Sequence, residues 1–501
     1  MSIVFTDNPM NATAITHAGP FHGDDIFCMV FLEKLHGDVV VFRDKTTSFD
    51  KNRFNPNSII FDIGYEEFDH HQKDGNGYHS SNNPGRKPVP YASFGLLWAR
   101  FGLDYCKSLV NNDVKKAVNI WNYIEKKFVI GIDAVDNAIF PTLTQKYDLY
   151  SFVLIPSFIS MLTPLEADNE SMETALENAV CFARVIFDII VKLALNRVED
   201  KESKINYKTH KKIDAIKIFT TSFARYLFPE KQSSISQLLE GKHLDYHTLM
   251  PTSSITKIPV PTSTIGKLWH FYGKQHFSSL FKEEKNIEYC WEFIKSSLVL
   301  GLDAIANGIV PMSNFQYDFY NPLSIVAFIN SFNLLIDSRE SYRYYKDFAY
   351  SIANTIVERT FKKIIDRVKY RPYIEEKINK AHTDNSHVLV LEKHIHWQDW
   401  VARSEEAKDI WFVVTPSNRE GYSIYPVPYK RNENGYRKGF PKAWHGLNED
   451  ELRKKVNIPS ANFVHPLGFI AGTKDLDSAL ELAEKSSYHN ECKRKEIFIS
   501  Q

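Results

Sequence analysis

Two short runs decide how this chain is read: T-H-A-G-P-F-H-G-D-D, from Thr16 to Asp25, and F-D-H-H-Q, from Phe68 to Gln72. Between them lies I-I-F-D-I-G, Ile59 to Gly64. Together they supply His17, His22, Asp24, Asp25, Asp62, Asp69, His70 and His71. Each run follows an apolar, β-branched stretch of strand character: A-T-A-I-T, V-V-V-F or S-I-I-F. Ligands of open α/β sheets bind beyond the carboxyl ends of the strands, so three such ends would gather these side chains. A mixed imidazole and carboxylate set suits Mn²⁺ or another divalent first-row ion, and the pattern reads as a two-metal centre. Each residue alone has a plainer account: Asp24 and Asp25 could cap the helix they open, and Asp62 could end a strand in a turn. Their occurrence together, in this order, favours a site.

These motifs resemble those of the melanocyte-proliferating-gene exonuclease family, a branch of the DHH phosphoesterase superfamily. The resemblance implies a phosphodiester-cleaving enzyme, and for this branch a 3′–5′ exonuclease acting on RNA. It assigns His17, His22, Asp24, Asp62, His70 and Asp136 to two divalent ions, Mn²⁺ or Mg²⁺, with Asp62 as the bridge. Asp69 would orient its neighbours, and His71 would contact the scissile phosphate, with Arg43 a second candidate for that role. Two such ions would activate water and clamp the phosphoryl oxygens. The family's R-T-R-D reads V-F-R-D here, keeping Arg43 and Asp44, and its insert before the second motif is shortened to Tyr65-Glu66-Glu67.

A chain of 501 residues exceeds the usual single domain, and its apolar and charged fractions are those of a soluble globular protein. Sixty-one basic and sixty-one acidic residues leave no net charge, so a nucleic-acid substrate must be held by a local groove. Five scattered cysteines show no metal or redox spacing, which reads as reduced and intracellular. No Lys or Arg precedes Lys34, against a secretory or Arg-rich mitochondrial leader. No apolar run is long and uncharged enough to span a bilayer. The expected location is cytoplasmic or nuclear.

From Lys87 the pattern turns helical. The family places a Ser-Ser-Ala-Gly helix start here, matched by Ser93 and Gly95. A helix N-terminus is an anion site, so Ser93 is a candidate phosphate contact or simply a cap. Further on, Asp133 and Asp136 stand three apart on one helix face and, with Asn137, match the family's D-A-[IV]-D-N.

The chain then repeats itself. P-V-P-Y-A-S-F-G-L-L-W from Pro88 recurs as P-V-P-T-S-T-I-G-K-L-W from Pro259. G-I-D-A-V-D-N-A-I-F-P from Gly131 recurs as G-L-D-A-I-A-N-G-I-V-P from Gly301. Gly95 and Gly266 are 171 residues apart, Asp133 and Asp303 170, a domain-sized period with two copies. The second copy keeps packing residues but not the chemistry. It has no counterpart of the first motif, carries Tyr246 in a D-Y-H remnant, and has Ala306 opposite Asp136. It is expected to bind no metal and to form a scaffold, an intrachain pseudo-dimer being one arrangement. Asp303 survives without other ligands, which points to a structural role for Asp133.

Lys362, Lys363, Arg367 and Lys369 could track phosphates, although a solvated helix face is the simpler reading. Strand patterns return from His387, and the closing segment resembles the family's C-terminal domain. The resemblance makes Arg437, Lys438, His465 and Gly468 substrate-binding candidates, while the family's W-R-G-L-R reads W-H-G-L-N, with His445 and Asn448. The expected fold class is α/β. Residues 1–205 form a DHH-like parallel-sheet domain with a helical lobe, 206–385 a degenerate duplicated helical lobe, and 386–501 a C-terminal α+β domain. Two other functions fit less of this pattern: a small-nucleotide phosphatase or phosphodiesterase, and a non-catalytic interaction protein.

Overall fold

The computed structural model describes residues 2–46, 49–71, 76–80, 85–139, 154–164, 171–198, 212–230, 260–309, 324–417, 419–429, 435–447 and 449–488. The D-Y-H remnant at Asp245–His247 and the paired Y-D-x-Y segments at Tyr147 and Tyr317 lie outside them. The protein is a mixed α/β structure in two compact units. The first draws on residues 1–3, 21–39 and 76–366, the second on 4–20, 40–75 and 367–501, so neither is contiguous in sequence.

The first unit is helical. Helix α1 (Gly23–His36) is buried along its length from Gly23 to Glu33, which is why its sequence is apolar all round rather than striped. Phe27 and Phe31 meet Phe94, Trp98, Tyr105, Phe128 and Phe187 in tilted and edge-on contacts. Buried Glu33 is neutralised by a two-pronged contact from the Arg184 guanidinium at 2.8 and 2.9 Å. There follow α2 (Ser93–Leu109), α3 (Val114–Ile124), a π-helical turn (Glu125–Val129), α4 (Ile130–Asp136), α5 (Ile155–Ser160) and α6 (Met172–Val198).

After α7 (Ala215–Leu227) the same order returns. It comprises α8 (Thr264–Ser278), α9 (Glu284–Ile294), a π-helical turn (Lys295–Val299), α10 (Leu300–Ala306), α11 (Ile325–Ser331) and α12 (Arg339–Lys369). The correspondence reaches the packing. Gly102 and Gly273 each lie flush against the tryptophan of their own helix, Trp98 or Trp269, with no room for a Cβ. Val89, Ile130, Ala134 and Ile139 form one small core, while Val260, Leu300 and Ala304, with Ile309 beside them, form another.

The second unit carries most of two sheets. In the first, β1 (Ser2–Phe5), β2 (Ala14–His17), β3 (Asp38–Asp44) and β4 (Ile59–Ile60) run in the order β1-β3-β2-β4. Strand β2 is parallel to both neighbours, Ala14 pairing with Val41 and with Ile59. Its four residues are all buried, as a central parallel strand requires. The carboxyl ends of β2, β3 and β4 therefore share one edge, where His17, Asp44 and Asp62 emerge.

The second sheet follows α13 (Arg371–Thr383). It contains β5 (Val388–Val390), β6 (Phe412–Pro416), β7 (Tyr422–Pro426), β8 (Ala461–Val464) and β9 (Ala471–Thr473) in the order β5-β6-β7-β9-β8. Helix α14 (Gln398–Arg403) lies between β5 and β6 in the chain. Phe412, Val414 and Ile424 pack with Leu452 and Val456 of α15 (Glu449–Val456) and with Leu482 of α16 (Leu476–Tyr488). Arg367, offered above as a phosphate-tracking cation, is instead buried and paired with Asp399 at 3.1 Å. Among the described residues no helix is long and apolar enough to cross a membrane.

Candidate metal centre

The carboxyl end of β4 turns sharply. Asp62 and Tyr65 hold φ of 57° and 58°, and Gly64 holds 85°. Non-glycine residues avoid this left-handed region, so two of them within four positions mark a turn fixed by its surroundings. The Asp62 N–H donates to Phe68 O at 3.1 Å and the Tyr65 N–H to Asp69 Oδ2 at 2.7 Å. Phe49 closes over Gly64 where any Cβ would collide. The turn delivers the buried Asp62 carboxylate into the second motif. Asp62, Asp69, His70 and His71 each bring one ligand atom to within 4.8 Å of the others.

Asp62 is the hub. Its Oδ2 lies 3.1 Å from His17 Nε2, and its Oδ1 lies 3.5 Å from His70 Nδ1 and 3.6 Å from His71 Nδ1. His17 Nδ1 sits 2.8 Å from the Ala18 carbonyl, which can only accept, so Nδ1 carries a proton. In the neutral imidazole Nε2 then turns a lone pair toward a carboxylate oxygen. Two acceptors at 3.1 Å are held together by a proton or by a cation, and a divalent ion takes both as ligands. The donor set therefore fits a metal.

Asp69 is placed differently. Its Oδ1 accepts from the His71 N–H at 3.0 Å and lies 2.7 Å from His71 Nδ1. Burial raises the Asp69 pKa, but the bonds to His71 and Tyr65 outweigh it and the carboxyl ends below its usual range. Asp69 thereby orients the His71 ring.

A second cluster lies in the helical unit: His22, Asp24 and Asp136, again with one ligand atom each within 4.8 Å of the others. Asp25 is the cap, accepting from the His22 N–H at 2.8 Å, while Asp24 is buried beside it. Asp136 closes α4, and the base of that helix is anchored by a network for which the motifs held no sign. His79 bonds Glu125 Oε1 at 2.6 Å and Asp133 Oδ2 at 2.8 Å, all three buried. Burial alone would strip its proton, but the bonds and charges of Asp133 and Glu125 hold it at about 9. Asp133 also accepts from the Gly95 N–H at 3.1 Å, tying α4 to the start of α2.

That arrangement bears on Ser93. The carboxylate at the N-terminus of α2 is that of Asp133, and Ser93 is wholly buried, so a phosphate has no access to it there. Arg43 Nη2 donates to Gly19 O at 3.1 Å, holding the turn after His17. Arg419 Nε donates to Ala18 O at 3.2 Å in the same turn, a contact between residues 401 apart that no local pattern announces. Arg437 donates to the carbonyls of Ala407, Ile410 and Val401, and Lys438 to that of Ser487. Both cations serve the protein's own backbone rather than an exposed groove. His465 does reach the centre, its ring centroid 6.0 Å from that of His71. Gly468 supports it, with φ 71° in the turn that follows.

An α/β protein with carboxylates and imidazoles gathered at the carboxyl edge of a parallel sheet is the class that the structure defines. The family model MYG1_exonuc, described as uncharacterised protein family UPF0160, matches residues 13–222 and 239–487, and the chain belongs to that family. The MYG1 protein of Saccharomyces cerevisiae is 23% identical over 250 residues, 46% of this chain and 74% of that one. That of Dictyostelium discoideum is 22% identical over 289 residues, 53% and 80% of the two chains. The human MYG1 exonuclease is 27% identical over 135 residues, 25% of this chain and 35% of its own. No solved structure matches.

Proposed function

We propose that this chain is a DHH-type phosphodiesterase that uses two divalent metal ions to trim RNA from its 3′ end. The observation that carries the reading is the convergence on Asp62, whose two oxygens face His17 on one side and His70 and His71 on the other. His17, Asp62 and His70, and the separate cluster of His22, Asp24 and Asp136, would hold the ions. Imidazole among the ligands favours Mn²⁺, with Mg²⁺ the second choice. Ions held there supply Lewis-acid polarisation of the phosphodiester and neutralise charge on its oxygens.

The chain's own part is positioning. Asp69 fixes His71 through Nδ1 and leaves Nε2 as the atom that meets a phosphoryl oxygen. His465 stands across from that ring as a further substrate contact. Arg43 and Arg419 keep the turn after His17 in place from two sides. The names of the human and mouse relatives, both MYG1 exonuclease, support the exonuclease part of this reading.

A shorter substrate is the second reading, favoured because Arg437 and Lys438 are engaged by backbone carbonyls. Oligoribonucleotides labelled at either end decide between them. A 3′–5′ exonuclease releases a 3′ label at once as mononucleotide and shortens a 5′-labelled strand stepwise, and chelator stops both. Hydrolysis confined to mononucleotides or dinucleotides supports the second reading. Cleavage indifferent to chelator overturns both.

A further inference from the structure

We infer that the turn from His465 to Ile470 is a nucleobase platform, in which Phe469 and Leu467 take the base of the terminal nucleotide while His465 holds its phosphate. The inference rests on reading the Asp62 centre as a phosphodiesterase and adds the feature of the substrate that the chain grips.

The turn is rigidly built. The His465 N–H donates to Ile470 O at 3.0 Å, and the Gly468 N–H donates back to His465 O at 2.8 Å. Gly468 is buried with φ 71°, and any Cβ there would strike the ring of His445. That ring is itself set between the carbonyls of Pro466 and Phe440, each 3.2 Å from one of its nitrogens. His445, which stands where the family has arginine, is thus the brace beneath the turn.

On this frame two large apolar side chains face outward: Leu467 is 67% exposed and Phe469 43%. A tight turn held by so many internal bonds does not need them, and two exposed apolar side chains two residues apart on a turn beside a candidate centre point to a binding surface. Their neighbour gives the occupant. The ring of His465 lies 4.1 Å from that of Phe469 and 6.0 Å from that of His71. Its Nδ1 accepts the Leu467 N–H at 3.1 Å, so the neutral ring carries its proton on Nε2 and is a donor. A donor for an anion, flanked by an aromatic face and set beside the catalytic histidine, is the layout for a phosphate with a flat apolar group attached. Every base has a π-face, so the platform holds the terminal base without regard to its identity.

Calorimetry on the full chain in Mn²⁺ tests this with AMP and ribose 5-phosphate as paired probes, beside an oligoribonucleotide hydrolysis assay. The wild type should bind AMP roughly tenfold more tightly than ribose 5-phosphate, the size of one base–aromatic stack. Phe469→Ala should abolish that difference while leaving ribose 5-phosphate unchanged, and Phe469→Tyr should restore it. Equal affinities in the wild type, undetectable AMP binding, or equal losses for both probes in Phe469→Ala would overturn the platform. Base-dependent binding without hydrolysis would sink only the catalytic reading. Hydrolysis with equal binding of the two probes would sink only the platform.

Discussion

Leu154 and Ser324 pair with each other in an isolated antiparallel bridge, and they stand at the same place in the two similar helical series, 170 residues apart. A residue meets its own counterpart in this way only across a two-fold axis. Around the bridge Leu154, Val260, Leu300 and Ala304 form a core with Val135 and its counterpart Ile305 against it. We propose that the second series takes the position that a second subunit would take in a closed dimer. The chain should therefore sediment as a monomer at micromolar concentration. Leu154→Glu, which buries a charge in this core, should cost about 3 kcal/mol or more in denaturant unfolding. A stable homodimer, or a change under about 0.5 kcal/mol, would contradict the internal two-fold.

The two series should differ in chemistry. Asp136 shares a ligand cluster with His22 and Asp24, whereas its counterpart is Ala306. Asp303 matches Asp133: its Oδ1 accepts from the N–H groups of Ser263 and Gly266 and from the Ser263 hydroxyl. Burial pushes its pKa up to about 6. Asp136→Asn should abolish turnover, while Asp303→Asn leaves kcat within about twofold. Equal damage from the two, measured side by side, would mean that the second series takes part in catalysis.

His79 makes a pH prediction. Its folded pKa of about 9 lies above the ordinary 6.5, because Asp133 and Glu125 together outweigh its burial. A raised histidine contributes stability in full below pH 6.5 and loses it as pH rises through 9. The shift corresponds to about 3 kcal/mol as an upper bound. In urea unfolding at pH 6, His79→Gln should be markedly less stable than the wild type, and by pH 10 the gap should narrow. A gap independent of pH would show that packing against Tyr91, whose ring centroid lies 4.4 Å away, is what His79 supplies rather than charge.

The adjacent histidines should separate on mutation. His70→Ala should lower bound Mn²⁺, because its imidazole faces Asp62 from the side opposite His17. His71, oriented by Asp69, should keep metal when changed to Ala but lose at least about a hundredfold in kcat, as expected for a positioned acid–base or phosphate contact. Metal content of the two purified variants decides the order, and reversed losses would exchange their roles.

Much of this centre was legible because its parts are local. Strand ends, the D-I-G turn and the adjacent histidines announce themselves within a few residues, and the parallel edge collects them. The likeness of the two helical segments is local as well: Gly102 and Gly273 keep the small size that their tryptophans demand. What local pattern could not carry was pairing across long separations. Arg437 and Lys438 look like solvent-facing cations until the carbonyls they serve are known. Ser93 looks like an anion contact until Asp133, forty residues on, fills that place. His79 had one faint signal, its position just after the second motif. Its two carboxylate partners come from the π-helical turn and α4.

The most direct test of the whole account is Asp62→Asn, assayed at once for bound Mn²⁺ and for 3′-end trimming of an oligoribonucleotide. Losing this carboxylate removes a group that faces His17, His70 and His71 together. Metal affinity and turnover should fall together, turnover by at least about a thousandfold. A folded Asp62→Asn protein that keeps both its metal and its rate would contradict the assignment of this cluster as the catalytic centre.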